Sequence, residues 1–575
     1  MQQSLKRGLI IIGMTIGIWL AFSCTGQPRQ IPSTSTLPIE TPRIIAWDIS
    51  GVVVDQDNHP LEGALVRIQA TTQSTTTDLQ GRFRLGSIEK GKIVTLSAWK
   101  DAYYCAKQET VQAPATDIRL VLRLVQTNDN PNYAWVPPTG ENSCFSCKPG
   151  VTQVWLDNDA HGKSASNPRF LSMYNGTNLS GQRSPLTRFT QTRDYGRVPI
   201  PPDLSQPYFG PGYKLDFPDN AGNCAACHIP GAAIADPYGV DPNQVSAVDK
   251  LGIHCDFCHK IAGVKLDPQT GKPVPGMPGV LSIDIRRPFP EDKTRYQLFF
   301  GTFDDDNVPQ EDTRLPLLTQ SQFCAPCHYG IFWDTLVYNS YGEWLDSPYS
   351  DPKTGKTCQD CHTPSPTLLN GAPITNVAPG KGGIERDPKT IHAHTFPGAA
   401  NQELLQNALS MTADATRSAD KIMVNVNLIN DNTGHDIPTD SPIRQMILLV
   451  DASDAEGNLL PQSEGEVIPK WGGIGDPQKG YYAGLPGKGF AKVLAELWTE
   501  VSPTGAYWNP TRLVSDNRLA AFANDTSSYT FEAPAQGGAT ISVRLFYRRA
   551  FRLLAYQKGW EIPDILMAEK VIHLD

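Results

Sequence analysis

The chain has 575 residues, enough for three or four domains at about 150 residues each. Hydrophobic residues make up 40% and charged residues 19%, a globular balance, while 48 Gly and 48 Pro predict loops in place of long helices. The net charge of −9, with no basic run to neutralise phosphates, argues against a nucleic-acid partner.

The N-terminus reads as an export signal. Lys6 and Arg7 precede the apolar run 9–22, which ends at Ser23-Cys24. A cysteine just past such a run resembles a bacterial lipoprotein site. That resemblance implies cleavage of a signal within residues 1–24, lipidation of Cys24 and a lipid anchor in the membrane. The alternative is an uncleaved anchor, although the run is shorter than the about 20 residues of a full span. Both readings export the chain to the periplasm or the outer cell surface. Residues 25–43, rich in Ser, Thr and Pro, read as a flexible tether.

Residues 44–125 have a strand-like pattern. Short β-rich runs at 49–54, 64–69 and 92–98 are separated by turns such as Asp57-Asn58-His59-Pro60. In DIRLVLRLV (117–125), Ile118, Leu120, Leu122 and Leu124 alternate with Arg119, Val121 and Arg123, a period of two. The stretches GVVVDQDNHPLEGALVRI and TTTDLQGRFRL resemble the carboxypeptidase regulatory-like domain. The resemblance implies a small prealbumin-like β-sandwich with a non-catalytic accessory role. His59 reads as an exposed turn histidine.

Residues 130–415 are irregular, punctuated by Pro and Gly, and hold ten of the twelve cysteines. Four sites have the pattern C-x-x-C-H: Cys224, Cys227 and His228; Cys255, Cys258 and His259; Cys324, Cys327 and His328; Cys358, Cys361 and His362. This is the c-type haem attachment spacing. Two intervening residues let both sulfurs reach the two vinyl groups on one side of a porphyrin, and the next residue turns its imidazole onto the iron. Zinc also uses paired cysteines, and redox proteins form disulfides across two residues, but neither requires a histidine after the second cysteine four times over. A fifth site, Cys144-Phe-Ser-Cys147, is followed by Lys148. An amine ligates iron only when neutral, so its pKa must be driven down.

One C-x-x-C-K site followed by four C-x-x-C-H sites resembles the pentahaem ammonia-forming nitrite reductases. The resemblance implies five covalently bound haem c groups, with Lys148 on the iron of a haem whose other face could be open to substrate. The chain has eleven histidines. Four are in motifs, and His59 and His573 are peripheral. His161, His254, His392, His394 and His435 remain as distal ligands. His254 directly precedes Cys255, so it could serve only a neighbouring haem. His392 and His394 face one way if extended, with His394 the favoured ligand. His435 lies in a turn that could project an imidazole into the haem region.

YGEWLDSPYSDPKTGKTCQDCHTPSP (341–366), HTFPGA (394–399) and GHDIPTD (434–440) resemble the wider multihaem cytochrome superfamily of cytochrome c-554 and the nitrite reductases. This implies a central domain, mostly α-helical or irregular, packed around bis-histidine haems that carry electrons. The motifs start at 144, 224, 255, 324 and 358, and the two short gaps suggest haem pairs 224/255 and 324/358 with the 144 haem set apart. From 420 to 575 alternation returns, as in Ile422, Val424, Val426 and Leu428, and predicts a C-terminal β-rich domain bordered by a helix over 401–410.

The segment 135–143 has no Arg and the segment 319–323 no His, where the nitrite reductases carry groups that hold and protonate substrate. The expected function is therefore an electron-transfer cytochrome. A reductase of a nitrogen or sulfur oxyanion working at the Lys148 haem, and a subunit docking through its β domains onto a redox complex, are the alternatives. The expected partners are other cytochromes or a membrane quinol-oxidising complex, met through polar, transient contacts.

Overall fold

The computed structural model describes residues 46–187, 189–193, 196–289, 297–309 and 311–575. The export signal, Cys24 and the tether lie outside the described residues. The described residues contain no helix long and apolar enough to cross a membrane.

Seven strands between Ala46 and Val121 form two sheets. One orders Arg82–Glu89, Ala46–Val54 and Ala115–Val121; the other orders Ser74–Thr76, Leu65–Ile68, Ile93–Trp99 and Ala106–Gln112. Alternate side chains turn inward, so Ile49, Val53, Val66, Phe83, Leu85, Leu96 and Leu120 form one dry core. Gly51 allows the parallel pairing of the first and last strands, since a Cβ there would lie 1.9 Å from the Ile118 carbonyl oxygen. This sandwich is seated on the central region. Arg67 pairs with Asp304 at 2.8 Å, the Cys105 amide donates to the Asp312 carbonyl at 3.0 Å, and Tyr104 and Val125 share a cluster with Leu298 and Phe300. Cys105 is buried there, and burial pushes its thiol well up.

The central region corrects the expectation of a mostly helical domain. Its longest helix, Pro149–Asn158, has ten residues, and the motif helices have four or five. Between them run two-stranded ribbons: Phe189–Arg193 with Gly196–Pro199, Ile261–Val264 with Ile283–Ile285, Phe299–Gly301 with Asp312–Arg314, Gly330–Phe332 with Thr335–Tyr338, and Leu368–Leu369 with Ala372–Pro373. Pro opens many of the turns and short helices and prevents longer ones. The chain as described is β-rich with few, short helices.

The C-terminal part is a sandwich of two four-stranded sheets. One orders Ser410–Ser418, Lys421–Ile429, Asn524–Glu532 and Gln462–Glu464; the other orders Gly487–Phe490, Gln445–Asp454, Ala539–Arg548 and Ile565–Leu574. Val424, Val426, Tyr529 and Phe531 pack against Leu448, Val450, Ile541 and Val543. The sandwich starts at Ser410, ten residues before the expected boundary, and the expected helix over 401–410 is cut to Gln402–Gln406. The connection from Ile429 to Gln445 leaves this sandwich and reaches the cysteine motifs, bringing His435, Asp440 and Arg444.

Candidate functional site

The four C-x-x-C-H segments each make one short helical turn, which sets the cysteines on one side and the histidine at the end. The first turn, Cys144–Cys147, is capped by the buried Ser143, and Lys148 joins it to the helix Pro149–Asn158. Burial pulls the Lys148 amine below its ordinary value, against the opposing charge of Asp312. In the second turn Ala225 and Ala226 are fully buried, and the His228 ring lies flat on Phe170, 4.0 Å between centres and 5° between planes. In the third, a fully buried Asp256–Lys260 pair at 2.5 Å ties the turn down, and Asp256 also accepts from the Tyr133 hydroxyl and the Val136 amide. The fifth turn carries a Thr357–Asp360 capping box, and the Cys358 amide donates to Ser321 beside the fourth.

An imidazole nitrogen bonds a metal at about 2 Å, so two imidazoles on opposite faces of one ion put their ring centres about 6 Å apart. Three histidine pairs have this spacing: His161 and His328 at 6.3 Å, His259 and His394 at 6.4 Å, and His362 and His435 at 6.5 Å. In every one of these rings Nδ1 faces an acceptor. His161 meets the Asp159 carboxylate at 3.0 Å, His259 the Phe300 carbonyl at 2.6 Å, His362 the Pro397 carbonyl at 2.6 Å, His394 the His392 carbonyl at 3.2 Å, and His435 the Asp436 carbonyl at 3.0 Å. His328 faces Asp440 at 3.8 Å. With Nδ1 carrying the proton, Nε2 keeps its lone pair for a metal. Burial draws His228, His259 and His362 down to about 4, so they are neutral at pH 7. The residues therefore fit haem iron in c-type attachment. They do not fit zinc: among the described residues, the cysteines and motif histidines nowhere converge in a set of three donors.

His254 corrects its place among the candidate distal ligands. Its Nδ1 accepts from the Phe257 amide at 3.2 Å, capping the turn Cys255–Cys258, so a neutral ring must carry its proton on Nε2. That nitrogen is buried against Gly231, not aimed at a motif. His392 points its Nδ1 at the Thr363 carbonyl, 3.3 Å away, and faces no other imidazole. His59 is exposed and only braces its turn through Asp55, and His573 lies on the last strand.

The motifs also meet one another. The thiols of Cys144 and Cys255 lie close enough to act on each other's ionisation, as do those of Cys227 and Cys327 and those of Cys324 and Cys358. The short gap from 324 to 358 thus corresponds to neighbouring sites. The turns at 224 and 255 are also neighbours, sharing an apolar cluster through Ala225, Ala226, Phe257 and Ile261, while the 144 site stands beside the 255 site instead of apart.

Sequence reading passed over the residues that hold the candidate histidines His161 and His435 in place. Glu343 accepts from the Asp436 amide and the Thr439 hydroxyl and pairs with Arg518 at 2.6 Å, fixing the His435 connection. Phe396 stands edge-on to His161 at 4.8 Å. Glu343, Phe396 and Asp440 all lie in the three quoted superfamily stretches, which was the available signal.

Among solved structures, the chain is similar to a penta-heme cytochrome c552 from Thermochromatium tepidum, with 19% identity over 75% of this chain and 97% of that one and a TM-score of 0.47. A type II cohesin–X-dockerin complex from Acetivibrio cellulolyticus matches 14% of this chain and 58% of its own at 20% identity and a TM-score of 0.12. A streptococcal ancillary pilin covers 15% and 34% at 13% identity and a TM-score of 0.12. No curated protein matches the chain. Residues 48–124 match the family model of the carboxypeptidase regulatory-like domain, and the N-terminal sandwich is a domain of that kind.

Proposed function

We propose that the chain is an exported pentahaem c-type cytochrome that passes electrons along five covalently attached haems. The observation that carries this reading is the set of three opposed imidazole pairs at metal-bridging distance, each with one member next to a C-x-x-C pair. Cys144, Cys147, Cys224, Cys227, Cys255, Cys258, Cys324, Cys327, Cys358 and Cys361 would form the thioethers. Lys148, His228, His259, His328 and His362 would be the near ligands, and His161, His394 and His435 the far ligands of His328, His259 and His362.

Bound haem iron supplies a one-electron couple. The Nδ1 acceptors fix the orientation of the six paired imidazoles, so these rings would hold the iron without rearranging when its charge changes. Neighbouring motif thiols fall into two groups, 144 with 255 and 224 with 324 and 358, and the shared apolar cluster of the 224 and 255 turns lies between these groups, an arrangement that supports electron relay. The acidic balance, the export signal and Cys24 support a lipid-anchored protein at the periplasmic or outer face, meeting redox partners through polar contacts.

A reductase is the second reading, favoured by one observation: no imidazole faces His228. The test is the mass of the mature holoprotein, a haem count by pyridine haemochrome, and electron paramagnetic resonance of His161→Ala, His394→Ala and His435→Ala. Each variant should turn one low-spin haem high-spin. A protein with no added macrocycle, or three silent variants, would sink the proposal.

A further inference from the structure

The eleven histidines all lie among the described residues, so their placement can be followed to the end. Three are opposed to His328, His259 and His362. His254 is committed to its turn, and His59 and His573 are remote. His392 sits close to His394, as does Lys148, and both act on its charge. None remains for His228. Its ring is instead covered on one face by Phe170.

The surroundings of the His228 site differ in charge from those of the Lys148 site. Beside Lys148 stands the buried carboxylate Asp312, which has the buried Asp306 near it. Beside Cys224 and Cys227 stand Tyr338 and Tyr507, ring centres 5.2 Å apart. Arg444 adjoins both tyrosines, and Arg169 and Arg549 adjoin Arg444. Among the described residues the only carboxylate in the group is Asp440, 3.6 Å from Arg444 and shared with His328. Among the described residues, too, Arg169 and Arg549 have no carboxylate partner, and Nε of Arg549 is buried with no acceptor. Three guanidiniums against one carboxylate give a local positive field, and guanidinium and phenol donors suit a small oxyanion or pseudohalide.

We infer that the Cys224–His228 haem keeps its sixth position for a small exogenous anion, received by Tyr507, Tyr338 and Arg444. This rests on the cytochrome reading above.

The test uses the full holoprotein after mass and haemochrome analysis have returned five haems; failure at that stage overturns the cytochrome reading, not this inference. The oxidised protein should show a high-spin resonance that azide or nitrite removes with one-to-one stoichiometry, while the signals of the three imidazole pairs stay as they were. Arg444→Gln and Tyr507→Phe, with five haems retained, should each weaken azide binding about tenfold, the loss of one hydrogen bond to a charged ligand. Absence of a high-spin resonance overturns the inference. So does azide affinity unchanged in both variants, since the anion would then bind elsewhere, or Arg444 would serve only the haem's own carboxylates and shift a potential alone.

Discussion

Nδ1 of His328 lies 3.8 Å from Oδ1 of Asp440, whose other oxygen lies 3.6 Å from Arg444. Burial by itself would lower the imidazole, but the opposing charge of Asp440 reverses this and pushes it up. Burial would likewise raise Asp440, and the charges of His328 and Arg444 draw it down. A carboxylate on Nδ1–H makes Nε2 a stronger donor and favours the oxidised metal. The other Nδ1 partner of this kind is Asp159, on His161, so both rings of one pair are backed by carboxylates. Asp440→Asn should therefore raise one of the five reduction potentials by on the order of tens of millivolts and leave the others in place. A spectroelectrochemical titration with no potential moved, or all moved equally, would count against the pairing of His328 with His161.

His254 offers a discriminating substitution. As an N-cap its side chain accepts one amide hydrogen bond, which Asn can also do. His254→Asn should keep every haem resonance unchanged, and His254→Ala should cost about 1 kcal/mol in a denaturant titration without touching the spectrum. A new high-spin signal in His254→Asn would make it a ligand after all.

The pairs differ in the angle between their rings. His161 and His328 are perpendicular at 88°, while His259 and His394 meet at 30° and His362 and His435 at 25°. Perpendicular axial imidazoles leave two iron orbitals nearly degenerate and give a highly anisotropic low-spin resonance; near-parallel ones split them and give an ordinary rhombic signal. The oxidised protein should show one of the first kind from these pairs and two of the second. His161→Ala should remove the anisotropic signal alone, and loss of a rhombic signal instead would reassign the pairs.

The motif turns were legible because C-x-x-C-H is a local requirement, met within one turn whatever surrounds it. The candidate partners His161, His394 and His435 were legible too, but which motif histidine each one faces was not, because each is brought across by a separate connection. His435 arrives from a sandwich loop that Glu343 and Arg518 anchor, and neither residue announces this in one dimension. The N-terminal sandwich was readable from alternation, since its strands bury one face. The strand Ser410–Ser418 was missed for the opposite reason. It is an edge strand whose side chains are only exposed or half-buried, so Met411, Ala413 and Ala415 make a weak stripe. The helical reading of the centre failed because the apolar residues there surround short turns and ribbons, and no run is long enough to show a helical period.

Lys558 ends the helix Arg552–Lys558 and is fully buried, with its amine donating to the carbonyls of Ser172 at 3.1 Å, Thr177 at 3.2 Å and Pro211. It joins the C-terminal sandwich to the helix Pro168–Asn175, which carries Phe170 to His228. Burial draws the amine down to about 7 from its ordinary 10.5, with no carboxylate to hold it up. Between these two values the unfolded chain binds more protons than the folded one, so this group makes stability rise as pH climbs from about 7 towards 10.5. Lys558→Met leaves the carbonyls served by the neutral amine's two N–H groups without a donor and should cost about 2 kcal/mol at pH 9. The deficit should shrink as pH falls to 7, where keeping the amine neutral costs more. Urea unfolding of both proteins at pH 7 and pH 9 checks this, and a deficit that grows on acidification would mean the amine stays charged among its three carbonyls.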